Sequence, residues 1–265
     1  MTSKTVITDA DLINKYAKKA LEEPEQVVKT EAPLVPEVKL PGGFIENGEL
    51  ITTVEVRELN GVDEEAIAKA STTGKALNVL LQRGLVKVGS REATLADLDN
   101  LLSGDRDAIL IGIRKITFGK TIEFGVGCVS CGTEQPVSID LDEDVPVKTM
   151  ADQIVDRTWR VATKKGYVTV SLPTGITQKK LLENADKSSA EINTILLSGC
   201  VMEVNGEPSM GARTVLNLGM QDRSKIVEEI INRNPGPRLG EVKKTCKACG
   251  EDIALPLSLV DLFRL

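Results

Sequence analysis

Five cysteines stand in this chain, and four of them are spaced for chemistry. Cys128 and Cys131 form one Cys-x-x-Cys pair, Cys246 and Cys249 a second, and each pair runs straight into a glycine, Gly132 or Gly250. A structural zinc takes four ligands in a tetrahedron, so the two pairs together make a four-thiolate site for one zinc per chain. The stretches "VGCVSCGTEQPVSIDL" and "KKTCKACGEDIALPL" also match outside the cysteines, in a short polar turn carrying an acid and an alternating apolar run that ends in leucine. Each reads as a zinc knuckle: a strand arrives, turns through the cysteines and leaves as a second strand. The glycine sits where a positive φ lets backbone amides face the sulfurs. Four thiolates leave no open position for water, so this zinc would be structural and not catalytic. Unrelated free thiols and a redox pair are the alternatives, and the likeness of the two pairs argues against both. The fifth, Cys200, lies among Ile195, Leu196, Leu197 and Val201 and reads as a buried small hydrophobe.

The spacing is unusual. Zinc ribbons commonly separate their pairs by about 15–20 residues, whereas here more than a hundred intervene. A metal at this site would pin together the two ends of a long insertion, which is tolerable because loop-closure entropy grows slowly with length.

Composition removes other chemistries. The 265 residues include no histidine, which rules out a Ser-His-Asp triad, a Cys-His pair and a histidine-ligated metal. "LPGGFIENG" and "FGKTIEFGVG" both lack the order of a phosphate-binding loop. The acids Asp140, Asp142, Glu143 and Asp144 read as a solvated linker. Lys243, Lys244 and Lys247 on the second knuckle raise a nucleic-acid reading, because zinc ribbons often bind it. A net charge of −6 and 3% aromatics count against that reading. No apolar run is long enough for a membrane span, the first residues lack a signal-peptide pattern, and paired cysteines without a disulfide framework suit a reducing cytoplasm.

Around the cysteines the expected fold class is α+β: a body of helices and short strands, a split four-cysteine zinc ribbon, a mainly helical insertion clamped by it, and an extended N-terminal arm. Residues 1–47 read as the arm. Its amphipathic helix carries Leu12, Ile13, Tyr16, Ala17, Ala20 and Leu21 on one face, and a Pro-rich linker through Gly43 follows with no regular structure. The arm is either a tail with a transient helix or a segment that docks on a neighbouring subunit. Residues 48–146 form the body with the first knuckle. There the pattern predicts a strand at "ELITTVEVREL", helices at "GVDEEAIAKAS" and "GKALNVLLQRG", a helix from Thr94 to Gly104, and another from Asp105 to about Ile116. Residues 147–236 form the insertion lobe, hinged beside the zinc, with one hairpin turning at Lys164–Gly166 and a helix from Ser188 or Ser189 to near Asn205–Gly206. Residues 237–265 complete the body with the second knuckle.

The order of motifs resembles the T4-type baseplate protein family of contractile-tailed bacteriophages. "IRKITFGKTIEF" runs into "CVSCG" and "VSIDLDED"; "VSLPTGITQKKLLE" and "LLSGCVMEVNG" follow; "EIINRNPGPRLGEVKKTCKACGEDIALPL" closes. The paired cysteines and the "LPTG" and "NP" landmarks carry the likeness over about residues 48–260. The resemblance implies a baseplate hub or hub-assembly component in the virion tail, assembled in the host cytoplasm, binding other baseplate proteins and running no reaction. It also carries Cys128, Cys131, Cys246 and Cys249 over as zinc ligands. The competing reading is a cytoplasmic zinc-ribbon protein that binds nucleic acid or acts as an assembly chaperone absent from the virion.

Overall fold

The computed structural model describes residues 36–263. The helix expected around Leu12–Leu21 lies outside the described residues. The linker expectation is corrected at its end: Glu37–Glu46 is a strand, β1, paired antiparallel with β2, Glu49–Val56. The signal is Asn47–Gly48, both at positive φ (51° and 85°). Asn-Gly is the favoured two-residue hairpin turn because both positions need φ > 0. Pro41, Gly42 and Gly43 are absorbed by a bulge between Lys39 and Phe44.

Two helices follow, α1 (Gly61–Ala68) and α2 (Thr73–Gly84). Asn60 and Asp63 close a reciprocal capping box on α1. Strands β3 (Leu85–Val88) and β4 (Arg91–Glu92) extend the first sheet in the order β1-β2-β3-β4. Helix α3 (Leu95–Asn100), boxed by Thr94 and Asp97, then breaks at extended Leu102, and α4 (Ser103–Phe118) begins. The break therefore falls at Leu101–Leu102, before the expected Gly104. Leu101 O and Ser103 N are taken by Gly175 N–H and Pro173 O, so the insertion supplies partners that a continuous helix would have used. Leu80, Leu81, Leu101, Ile109 and Ile113 fill the core between this sheet and α4.

Strands β5 (Thr121–Gly127) and β6 (Glu134–Asp140) form the first cysteine hairpin over seven rungs. The insertion leaves through β7 (Val147–Lys148). It contains β8 (Thr158–Thr163), β9 (Gly166–Ser171), α5 (Gly175–Glu183), α6 (Ser189–Cys200), β10 (Val201–Val204), β11 (Glu207–Pro208), α7 (Ala212–Val215) and α8 (Met220–Arg233). The expectation of one hairpin in a mainly helical segment is thus corrected to a four-stranded sheet, β11-β10-β9-β8, packed on helices. The helix begun at Ser188 stops at Cys200. Asn205–Gly206, at φ 54° and 86°, is a second hairpin turn, and the Val-rich run before it pairs with β9. Val168, Val170, Leu197, Cys200, Val215, Ile226 and Ile230 form this sheet's own core.

The insertion returns through β12 (Gly236–Pro237), which pairs with β7, so its two ends lie side by side. Strands β13 (Lys243–Thr245) and β14 (Asp252–Ala254) form the second cysteine hairpin, and α9 (Leu259–Phe263) closes the described chain. No helix among the described residues is long and apolar enough to cross a membrane.

Candidate metal centre

Each cysteine pair sits at the tip of a hairpin, and the two tips have the same backbone plan. Gly132 N–H donates to Cys128 O (2.8 Å) and Cys128 N–H to Thr133 O (3.0 Å). In the second tip Gly250 N–H donates to Cys246 O (2.9 Å) and Cys246 N–H to Glu251 O (2.8 Å). Gly132 and Gly250 take φ of 71° and 78°, the left-handed turn expected of them.

The tips face each other. Cys128 Sγ lies 3.7 Å from Cys249 Sγ, and Cys131 Sγ lies 3.7 Å from Cys246 Sγ. All four sulfurs fall within 4.8 Å of one another. Ligands about 2.3 Å from a tetrahedral zinc stand about 3.8 Å apart, so this spacing fits a four-thiolate ion. Thus the four cysteines singled out by spacing do meet, although Cys131 and Cys246 are 115 positions apart. Cys200 does not join them. It is fully buried in the insertion's core, where burial pushes its thiol up to about 12.

Cys128 and Cys246 are buried; Cys131 and Cys249 are exposed. The Thr133 hydroxyl and then its backbone N–H pull the Cys131 thiol down to about 6. The N–H groups of Cys249 and Ala248 lower Cys246. The Glu251 N–H favours the Cys249 thiolate, yet desolvation and the neighbouring sulfurs push that thiol up to about 12. Thiolates this close repel one another, and a divalent cation relieves that repulsion.

Contacts that the sequence reading missed lock the two hairpins together. The Gln135 side-chain oxygen accepts from Lys247 N–H (3.1 Å), joining one tip to the other. Lys244 pairs with Asp144 at 2.6 Å. Three of the four acids read as a solvated linker are partnered, Asp140 with Lys120 (2.7 Å), Asp142 with Lys115 (2.5 Å) and Asp144 with Lys244, while Glu143 is exposed. The only advance signal was the opposite charge of these runs. Beneath them Ile122, Ile139, Val242, Ile253 and Leu262 form a shared core.

The other landmarks converge on the start of α4. Pro173 O accepts Ser103 N–H (2.9 Å), Ser103 Oγ lies 3.2 Å from Asn234 Oδ1, and Pro235 packs against Gly104. "LPTG" and "NP" are therefore the two places where the insertion crosses the body.

No curated protein and no solved structure matches the chain. A family model described as T4 bacteriophage base plate protein matches residues 46–264, which takes in both cysteine hairpins, the insertion and its crossings of α4. With most of its length matched, the chain belongs to the T4 baseplate protein family.

Proposed function

We propose that this protein is a hub component of the phage baseplate, acting by binding other tail proteins and stiffened by one structural zinc. Family membership implies a place in the virion tail and contact with other tail proteins, and it suggests a structural role. The observation that carries the finer reading is the meeting of four sulfurs from two matched hairpins at tetrahedral spacing. Cys128, Cys131, Cys246 and Cys249 would hold the ion as thiolates. It would join the body (48–146) to the closing segment (237–265), with residues 147–236 carried between them as a lobe. Structural zinc contributes about 10 kcal/mol or more in small zinc domains, ample for such a junction.

The test is complementation of a phage that lacks this gene. The wild-type chain and Cys200→Ser should restore tails with complete baseplates, and Cys246→Ser should not. Infectious particles of normal morphology without the gene would end the hub reading. Tight, salt-sensitive binding of the purified chain to DNA or RNA would favour the nucleic-acid reading instead.

A further inference from the structure

The first sheet ends at β1, and among the described residues no strand pairs with its outer side. Val56 N–H donates to Pro36 O, so along this antiparallel ladder Val38 turns its backbone groups toward β2. Glu37 and Lys39, the alternate residues, turn theirs outward. Thr53, opposite Lys39, gives its carbonyl to Gly89 on the far side, as that alternation requires. Farther along, the chain closes the same edge with its own side chains. Gln153 donates to Leu40 O and Pro41 O, Arg157 donates to Gly42 O and Gly43 O, and Gly42 N–H donates to Asp105. Among the described residues, the outward groups of Glu37 and Lys39 have no such closure. Beside it lies a groove lined by Ile111 and Gly112 of α4 and by Leu141, Val145 and Val147. Val147 is 56% exposed, so the apolar lining continues into solvent. The Glu37 and Lys39 side chains are exposed, and among the described residues neither has an ion-pair partner.

We propose that this edge receives an extended segment of another tail protein, which adds beside β1 as a fifth strand. Its backbone would pair with the N–H and C=O groups of Glu37 and Lys39. Alternate side chains would be aliphatic, to enter the groove, and the outward ones would place an acid across from Lys39 and a base across from Glu37. Charges on an edge strand can also serve to repel stray pairing. Such a guard needs no apolar groove at its side, and here one is present. The proposal rests on the family's place in the tail and not on the metal, so loss of zinc binding would leave it standing.

Amide exchange tests it. In the free full-length chain the Glu37 and Lys39 amides should exchange quickly while Val38 is protected, and in purified tails the peptide over residues 36–40 should gain two protected amides. Protection of both amides in the free chain would overturn the proposal, because this chain would then cover its own edge. Absence of any gain in tails would overturn it as well. Lys39→Pro removes an outward N–H and an exposed side chain but no hydrogen bond to β2, so that variant should keep its thermal midpoint and yet be excluded from tails. Normal incorporation of Lys39→Pro would contradict the proposal, and the exchange measurement decides the matter should that variant fail to fold.

Discussion

Cys246 and Cys200 are both buried cysteines, at 2% and 0% exposure, yet replacing each by serine should have different consequences. Cys246→Ser leaves three sulfurs for a four-coordinate ion and should cost several kcal/mol, of the order seen when a structural zinc is lost. Cys200→Ser puts a hydroxyl into an apolar core and should cost about 1–3 kcal/mol. Thermal melts with and without a chelator separate the two cases: chelator should lower the midpoint of the wild type and of Cys200→Ser, and leave Cys246→Ser unmoved. Asp105 gives a pH signature. Burial raises its carboxyl to about 7, against the pull of Gly42 N–H and Arg157. Between about pH 4 and 7 the folded chain then holds a proton that the unfolded chain has lost. The stability due to this group is fully present below that window, falls as pH rises through it, and is flat above it. Asp107, raised to about 6 by burial, adds a slope of the same sign. Asp105→Asn should therefore flatten the fall in denaturation free energy between pH 4 and 7 by roughly 2–4 kcal/mol. An unchanged slope would contradict the assignment.

Among the elements, the tightest point is where the insertion crosses α4. A Cβ on Gly104 would stand 1.6 Å from Pro235 O, a backbone atom with no freedom to rotate away. Gly104→Ala should then cost more than about 3 kcal/mol, in the range of severe packing errors. Gly132 contrasts with it. No atom of the described residues lies within 4 Å of an added Cβ there, so Gly132→Ala carries only the strain of a positive φ, about 1–2 kcal/mol. Denaturant titration of the two variants checks that order. The same elements show what was legible beforehand. The hairpins around both cysteine pairs, the Lys164–Gly166 turn and the helix capped by Ser188 follow from local patterns, and the structure has them. The strands β1 and β10 were missed although Asn47–Gly48 and Asn205–Gly206 announced their turns, because proline content outweighed the first and an apolar run hid the end of a helix at the second. The break at Leu101–Leu102 had no local signal. It is imposed by Pro173 and Gly175, more than seventy positions away in sequence.

For the whole molecule, the cysteine spacing proved the most far-reaching signal, because ligand chemistry needs four sulfurs in one place however long the chain between them. The Gln135–Lys247 bond and the Lys244–Asp144 pair were not legible, since many lysines and acids could have paired and only the fold selects these. The boundary of β1 also reshapes a truncation. Removing residues 1–35 leaves β1 whole, while removing 1–40 deletes part of the strand and Leu40, which is 3% exposed. The longer deletion should melt several degrees below the shorter one by calorimetry, whatever either does to tail assembly. The most direct test of the account is the metal content of the purified full-length chain. Elemental analysis should find about one zinc per chain, and close to none in Cys246→Ser. A wild-type chain that is folded by circular dichroism and carries no zinc would contradict it.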